Sequence, residues 1–277
     1  MLYYRPGILL HRFFQNNKFI ILPFTRMASG CKSQYMDVFA GRRIFVDHLQ
    51  GNRPKDPCVI YVPGFLSHRE SEKGKSLLEY CSRVGLEFIR YDPEGFGKSE
   101  FENHQQWANI QFRHWFEDCM RAMEASKNKK IILIGSSMGG WISLLTYKKI
   151  SSRIAGMVLI APAQNFIARN VEEGNTLIDN PIIKSMVDIK GFAKKSEELS
   201  IPLDQNINEV NVPVRIFHGM KDDIIPSECS VDLINSLRGD DIELTLIKSG
   251  DHRLNEHMNK ITESLEVIIQ KSNPMSE

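Results

Sequence analysis

From about residue 57 onward, apolar runs of strand length alternate with longer stretches of helical spacing. CVIYVPG (58–64) is a β-rich run ending in Pro-Gly, and SEKGKSLLEYCSRVG then sets Leu77, Leu78 and Cys81 at helical intervals. LEFIRYDPEG is the next strand, followed by a Gly-rich loop and the helical WANIQFRHWFEDCMRAMEA. IILIG leads into MGGWISLLTYKK, and MVLIAPA, VPVRIFHG and DIELTLIKSGDH supply three further strands. Parallel strands need crossover connections, and helical crossovers cover both faces of the sheet they serve. The expected architecture is therefore α/β, a mostly parallel, doubly wound sheet. Upstream, MDVFAGRRIFVDHL is expected to add an antiparallel hairpin at one edge. A chain of 277 residues accommodates this as one large domain with a substantial core.

Two segments break the pattern. Residues 162–211 are weakly helical and mixed, including EEGNTLIDNPIIKSM. An insertion after a strand's carboxyl end sits over the ligand crevice of such a sheet, so a helical cap is expected, with a plain connecting excursion as the alternative. Residues 1–36 carry Arg5, Arg12, Lys18, Arg26 and Lys32 with no acid before Asp37. Basic, acid-free segments with hydroxyl and apolar residues have the character of mitochondrial transit peptides. A helix through ILLHRFFQNNKFI would gather Leu9, Phe13 or Phe14, and Phe19 near one face, and FTRMASG is a candidate processing point. An unstructured or membrane-skimming terminus, or a degenerate secretory signal, is the alternative. The expectation is a transit peptide over 1–36, a mitochondrial protein of the matrix, and a folded domain over 37–277.

Several classes are excluded or disfavoured. A net charge of +1 without a basic stripe gives no reason to expect nucleic acid; Lys127, Lys129 and Lys130 form a solvated loop. No apolar run approaches the roughly 20 residues of a spanning helix. Five scattered cysteines without a CxxC pair argue against a disulfide framework and a zinc site, and no metal is expected. DPEGFGKSE ends in Gly-Lys-Ser as a phosphate-binding loop does, but position 92, where that loop needs glycine, is aspartate.

The chemistry is concentrated in IILIGSSMGGW (131–141). Gly-x-Ser-x-Gly fits in one register, Gly135-Ser136-Ser137-Met138-Gly139, because centring on Ser136 would put Ile134 at the first glycine. A nucleophilic serine on a sharp strand-to-helix turn has a strained backbone and needs tiny neighbours. Residues 135, 136, 139 and 140 provide them, so Ser137 is the candidate nucleophile, against a serine in an ordinary turn. Its hydroxyl needs a base, and the base an orienting acid, in the chain order Ser, acid, His. HGMKDDIIP (218–226) ends one strand with two acids, Asp222 and Asp223, and SGDHR (249–253) ends the last with His252. His257, in the helix that follows, is the weaker candidate base. His218 is assigned to shaping its turn, and His104 and His114 to helix packing.

Together GSSMGGW, HGMKDDIIP and DHR resemble the α/β-hydrolase superfamily, and more narrowly its mitochondrial acyl-protein thioesterase and acyl-glucuronide esterase branch. The resemblance runs from about residue 55 to 270. It implies the acid is the first aspartate of the HGxxD pattern, Asp222, with Asp223 the runner-up. It also implies an oxyanion hole from the amide of Met138, after the nucleophile, and that of Phe65, after Gly64. Pro63-Gly64-Phe65 departs from the His-Gly-Gly of many esterases, and the interval from serine to acid is somewhat short. The implied activity is hydrolysis of acyl thioesters or esters, on acylated proteins or small molecules, through an acyl-enzyme and without a cofactor. A small-molecule carboxylesterase or lactonase, and a non-catalytic ligand-binding protein on the same fold, are the alternatives.

Overall fold

The computed structural model describes residues 30–165, 199 and 208–272. Eight strands make one sheet: β1 (Cys31–Asp37), β2 (Arg43–Leu49), β3 (Cys58–Val62), β4 (Phe88–Asp92), β5 (Ile131–Ser136), β6 (Ile154–Ile160), β8 (Val214–Gly219) and β10 (Ile242–Ile247). A short pair, β7 (Asn208–Glu209) and β9 (Leu237–Arg238), lies apart from it. The order in the large sheet is β1-β2-β4-β3-β5-β6-β8-β10. The β1–β2 and β2–β4 pairings are antiparallel and the others parallel. The described helices are α1 (Glu72–Val84), α2 (Phe112–Met123), α3 (Met138–Ile150), α4 (Glu228–Ser236) and α5 (Met258–Ser272).

The apolar runs of β3, β5 and β6 are continuous because the centre of the sheet is buried on both sides. Alternate residues of β5 serve different cores. Ile131 and Leu133 pack with Trp115 of α2 and Trp141 of α3, while Ile132 and Ile134 join Leu77 of α1 and Leu265 of α5. α1 is bounded as its sequence suggests. The Ser71 hydroxyl accepts from Gly74 N–H at 3.3 Å, and Gly85 closes the helix at φ 77°, a conformation that glycine adopts without strain.

Three expectations change. The boundary at residue 37 is too late, because β1 begins at Cys31 and pairs with β2 through seven residues. Its polar CKSQY carries no signal of burial, and of the whole strand Met36 alone is buried. WANIQFRHWFEDCMRAMEA is not one helix. Gln105 N–H donates to the Asn103 side chain and Asn103 N–H to that of Gln106, each at 3.1 Å, starting a 3-10 turn at His104–Asn109. Ile110 and Gln111 are then extended before α2 begins. Finally, His257 lies in a 3-10 turn, Asn255–His257, just ahead of α5. The transit peptide up to residue 29, and all of the cap between 166 and 207 except Leu199, lie outside the described residues.

A buried ion cluster ties the loop after β3 to the sheet. Arg69 Nη1 lies 2.5 Å from Asp92 Oδ2, and Arg69 Nε 3.1 Å from Asp47 Oδ2. Arg90 Nη2 meets the same Asp47 oxygen at 2.9 Å, and Arg90 Nη1 donates to Arg69 O at 3.1 Å. Asp92 also accepts from Arg69 N–H and Lys98 N–H, each at 2.8 Å. The Gly-Lys-Ser turn thus clasps an aspartate, an arrangement that accounts for the motif without phosphate.

Candidate active site

β5 ends at Ser136 and α3 begins at Met138, leaving Ser137 as the whole connection. Its backbone, φ 54° and ψ −119°, lies where L residues are strained. Three hydrogen bonds hold it: Ser137 N–H to Ile160 O at 2.8 Å, and Gly140 N–H and Ala163 N–H to Ser137 O at 2.8 and 3.1 Å. The flanking glycines are required by contact. A Cβ on Gly139 would land on Val62 O, and one on Gly135 on Gly139 O. Ser136 is buried as the last residue of β5, and Ser137 is half-exposed.

The loop after β3 runs beside this turn. A Cβ on Gly64 would stand 3.0 Å from Ser136 O and 3.2 Å from Ser137 Cβ, so glycine there allows the loop to approach the serine. Phe65 follows, its ring packed on Phe96 and Trp115 with centroids 6.0 and 5.6 Å away. Leu66 takes φ 59° and Ser67 N–H donates to Gly64 O at 3.1 Å, folding the segment back. The Met138 amide opens α3, where first-turn N–H groups have no acceptor within the helix.

Further along the same edge, β8 and β10 deliver the acid and the histidine. Their exit loops touch backbone to backbone: Met220 N–H donates to Ile247 O at 2.8 Å, and Lys221 N–H to Gly250 O at 2.9 Å. Gly219 and Gly250 permit this, since a Cβ on Gly219 would collide with Gly250. The Asp222 side chain is fully buried, and its Oδ2 lies 2.7 Å from His252 Nδ1. Its Oδ1 accepts from Ile224 N–H at 2.9 Å and Ile225 N–H at 2.8 Å. Burial works to raise the Asp222 pKa, but hydrogen bonds from His218, His252 and the Ile225 amide prevail and hold it well below the usual carboxylate range. Asp223 is exposed and makes none of these contacts.

His252 sits on a loop of its own making. Asp251 Oδ1 accepts from Arg253 N–H at 3.1 Å and Leu254 N–H at 2.8 Å, and Leu254 adopts φ 50°. The amino end of α1 braces this loop, with Asn255 bonded to Glu72 and facing Lys73 Nζ at 3.5 Å. Burial lowers the Lys73 pKa to about 8, and the Arg253 charge adds to the effect.

Asp222 and His252 are therefore joined directly. Ser137 lies on the same sheet edge, but no hydrogen bond links its hydroxyl to His252. Sequence reasoning missed one partner of the acid. His218, given only a turn-shaping part, is fully buried with Nε2 3.1 Å from Asp222 Oδ2. His114 instead pairs with Glu94 at 2.8 Å, and His257 makes no hydrogen bond to Asp222. Among the described residues no three His, Cys, Asp or Glu side chains gather as metal ligands, and no helix is long and apolar enough to cross a membrane.

Comparison with known proteins fits this geometry. A family model described as the alpha/beta hydrolase fold matches residues 57–181. The human "Palmitoyl-protein thioesterase ABHD10, mitochondrial" is 29% identical over 220 residues, spanning 73% of this chain and 69% of that protein. The solved structure of mouse alpha/beta hydrolase domain-containing protein 10 aligns with a TM-score of 0.72 and 25% identity, covering 86% of this chain and 98% of that one. A putative hydrolase from Agrobacterium vitis S4 shares the fold, with a TM-score of 0.75 at 24% identity over 86% of this chain and 99% of that one.

Proposed function

We propose that this chain, which has the α/β-hydrolase fold and resembles proteins named as hydrolases, is a serine hydrolase that cleaves acyl thioesters and esters through Ser137, His252 and Asp222. One observation carries the proposal: a strained serine between β5 and α3 shares its sheet edge with a buried aspartate bonded at 2.7 Å to a histidine. His252 Nε2 takes the Ser137 proton as Oγ adds to the acyl carbonyl, and the Met138 and Phe65 amides receive the oxyanion. His252 then gives the proton to the departing thiolate or alkoxide, leaving the acyl group on Oγ. Water, deprotonated by His252, releases the acid and restores the serine. Asp222 remains anionic throughout and stabilises the imidazolium. The Ser137 hydroxyl closes on His252 when an acyl group is seated, as catalytic contacts often tighten only with substrate present.

Thioesters of long-chain acylated proteins are the proposed substrates, in line with what the mammalian relatives are named for, with acyl glucuronides as a small-molecule class. Ser137→Ala should abolish fluorophosphonate labelling and lower kcat on the order of 10⁴-fold or more, whereas Ser136→Ala should keep both. The reverse pattern would move the nucleophile by one residue. In the same assay, kcat/KM for palmitoyl thioesters should exceed that for short-chain esters; the opposite order would indicate a carboxylesterase or lactonase, and no turnover on either a binding protein.

We also propose that the protein acts in mitochondria, in the matrix, after removal of the basic amino-terminal segment. Because β1 begins at Cys31, cleavage is placed within or before FTRMASG (24–30). The amino-terminal sequence of the mature protein from cells tests this, and an intact Met1 would refute it.

A further inference from the structure

The acid of the proposed triad has a second histidine. Both rings address the same oxygen: Asp222 Oδ2 lies 2.7 Å from His252 Nδ1 and 3.1 Å from His218 Nε2. His218 has no access to solvent, so it is in no position to act on substrate or water. Its protonation pattern follows from its neighbours. Nε2 also lies 3.0 Å from Ile225 O, and both a carboxylate and a carbonyl oxygen are acceptors, so Nε2 must carry a hydrogen. Nδ1 stands 2.6 Å from the hydroxyl of Ser230, equally buried on α4. With its hydrogen on Nε2, the ring accepts from Ser230 at Nδ1, so the two acceptors set the tautomer and the serine anchors the opposite side of the ring.

Resting on the triad assigned above, we propose that His218, anchored at Nδ1 by Ser230, is a positioning residue for catalysis. It fixes the Asp222 carboxylate so that Oδ2 faces His252 while Oδ1 is held by the Ile224 and Ile225 amides. Every lone-pair direction of the acid that could draw it away from His252 then has a donor. The chain of bonds runs from the Ser230 hydroxyl through His218 to Asp222 and His252. It also couples α4 to the end of β8, so the acid is held by an element outside its own loop.

Three variants, assayed for steady-state hydrolysis of p-nitrophenyl butyrate and for folding by circular dichroism, test the proposal. His218→Phe keeps the ring shape without its nitrogens, and its kcat should fall on the order of tenfold or more with KM within about twofold. His218→Gln restores a donor near the Nε2 position and should recover most of that loss. Ser230→Ala leaves the ring but removes its anchor at Nδ1, and should lower kcat several-fold; it carries the test if the phenylalanine variant does not fold. Folded His218→Phe or Ser230→Ala protein with wild-type kcat would overturn the inference, as would His218→Gln as impaired as His218→Phe, the mark of a packing role alone. Wild-type protein without turnover, or turnover that survives Ser137→Ala, would overturn the triad itself and this inference with it.

Discussion

Ser137 illustrates how a single residue can be held against its own preference. A positive φ with ψ near −119° suits glycine, and a side chain there costs on the order of 1–2 kcal/mol. Three backbone hydrogen bonds from two neighbouring segments keep it in place. Replacing the strained residue by glycine should therefore raise stability while removing the proposed nucleophile. Ser137→Gly is expected to be inactive and about 1 kcal/mol more stable than Ser137→Ala in urea titration; equal midpoints would mean the turn is not strained. At this scale motif register singles out Ser137, and chain order narrows the candidate base to His252 and His257. The sequence could not rank Asp222 above Asp223 by those means, because the distinction lies in burial and in the two amides that receive one carboxylate and not its neighbour. Nor could it reveal His218, since a histidine at a strand end looks the same whether it packs or holds an acid.

Among the elements, α2 and the loop after β4 meet around a crowded cation. The Arg42 guanidinium lies 3.0 Å from Glu94, 2.5 Å from Glu117 and 2.9 Å from Asp118. Asp118 is fully buried on α2, and its Oδ2 accepts from Glu94 N–H at 2.8 Å. Burial pushes its pKa up to about 7, more than the Glu94 amide and Arg42 offset. A carboxyl that keeps its proton in the folded chain but releases it near pH 4 when unfolded loses stabilising effect as pH rises from about 4 to 7, by at most about 1.4 kcal/mol per pH unit. The stability of wild type relative to Asp118→Asn should accordingly fall between pH 5 and pH 7, as urea midpoints at the two values would reveal; an unchanged difference would contradict the raised pKa. The central strands β3, β5 and β6 were legible because both their faces are buried and the runs are unbroken. The split ahead of α2 was not, because the capping pair Asn103 and Gln106 falls within an otherwise helical period.

For the whole molecule, the sheet joins two kinds of edge. The parallel strands β3, β5, β6, β8 and β10 deliver the site, while β2 and β1 extend the other side antiparallel and bring Asp47 to the ion cluster that anchors the Gly64–Phe65 loop. β1 covers the outer edge of β2, and Ser33 Oγ donates to Asp47 Oδ1 at 2.6 Å. A chain that starts at Asp37 loses six of the seven β1–β2 pairs and should thus be destabilised by several kcal/mol, at ~1 kcal/mol for each ladder bond lost, and should aggregate through the bared strand. A chain that starts at Gly30 is the reference; equal urea midpoints for the two truncated chains would make β1 dispensable. Strand order itself could not be read from the residues, since pairing depends on crossovers that local periodicity does not encode. One contact reaches from this framework into the insertion after β6. Trp141, one helical turn beyond Ser137, is stacked on Phe112 at 3.8 Å and donates from Nε1 to Leu199 O at 3.0 Å. Indole fluorescence responds to the partner of its N–H, so Trp141 gives the protein a native optical reporter that reads, from within the core, any displacement of Leu199.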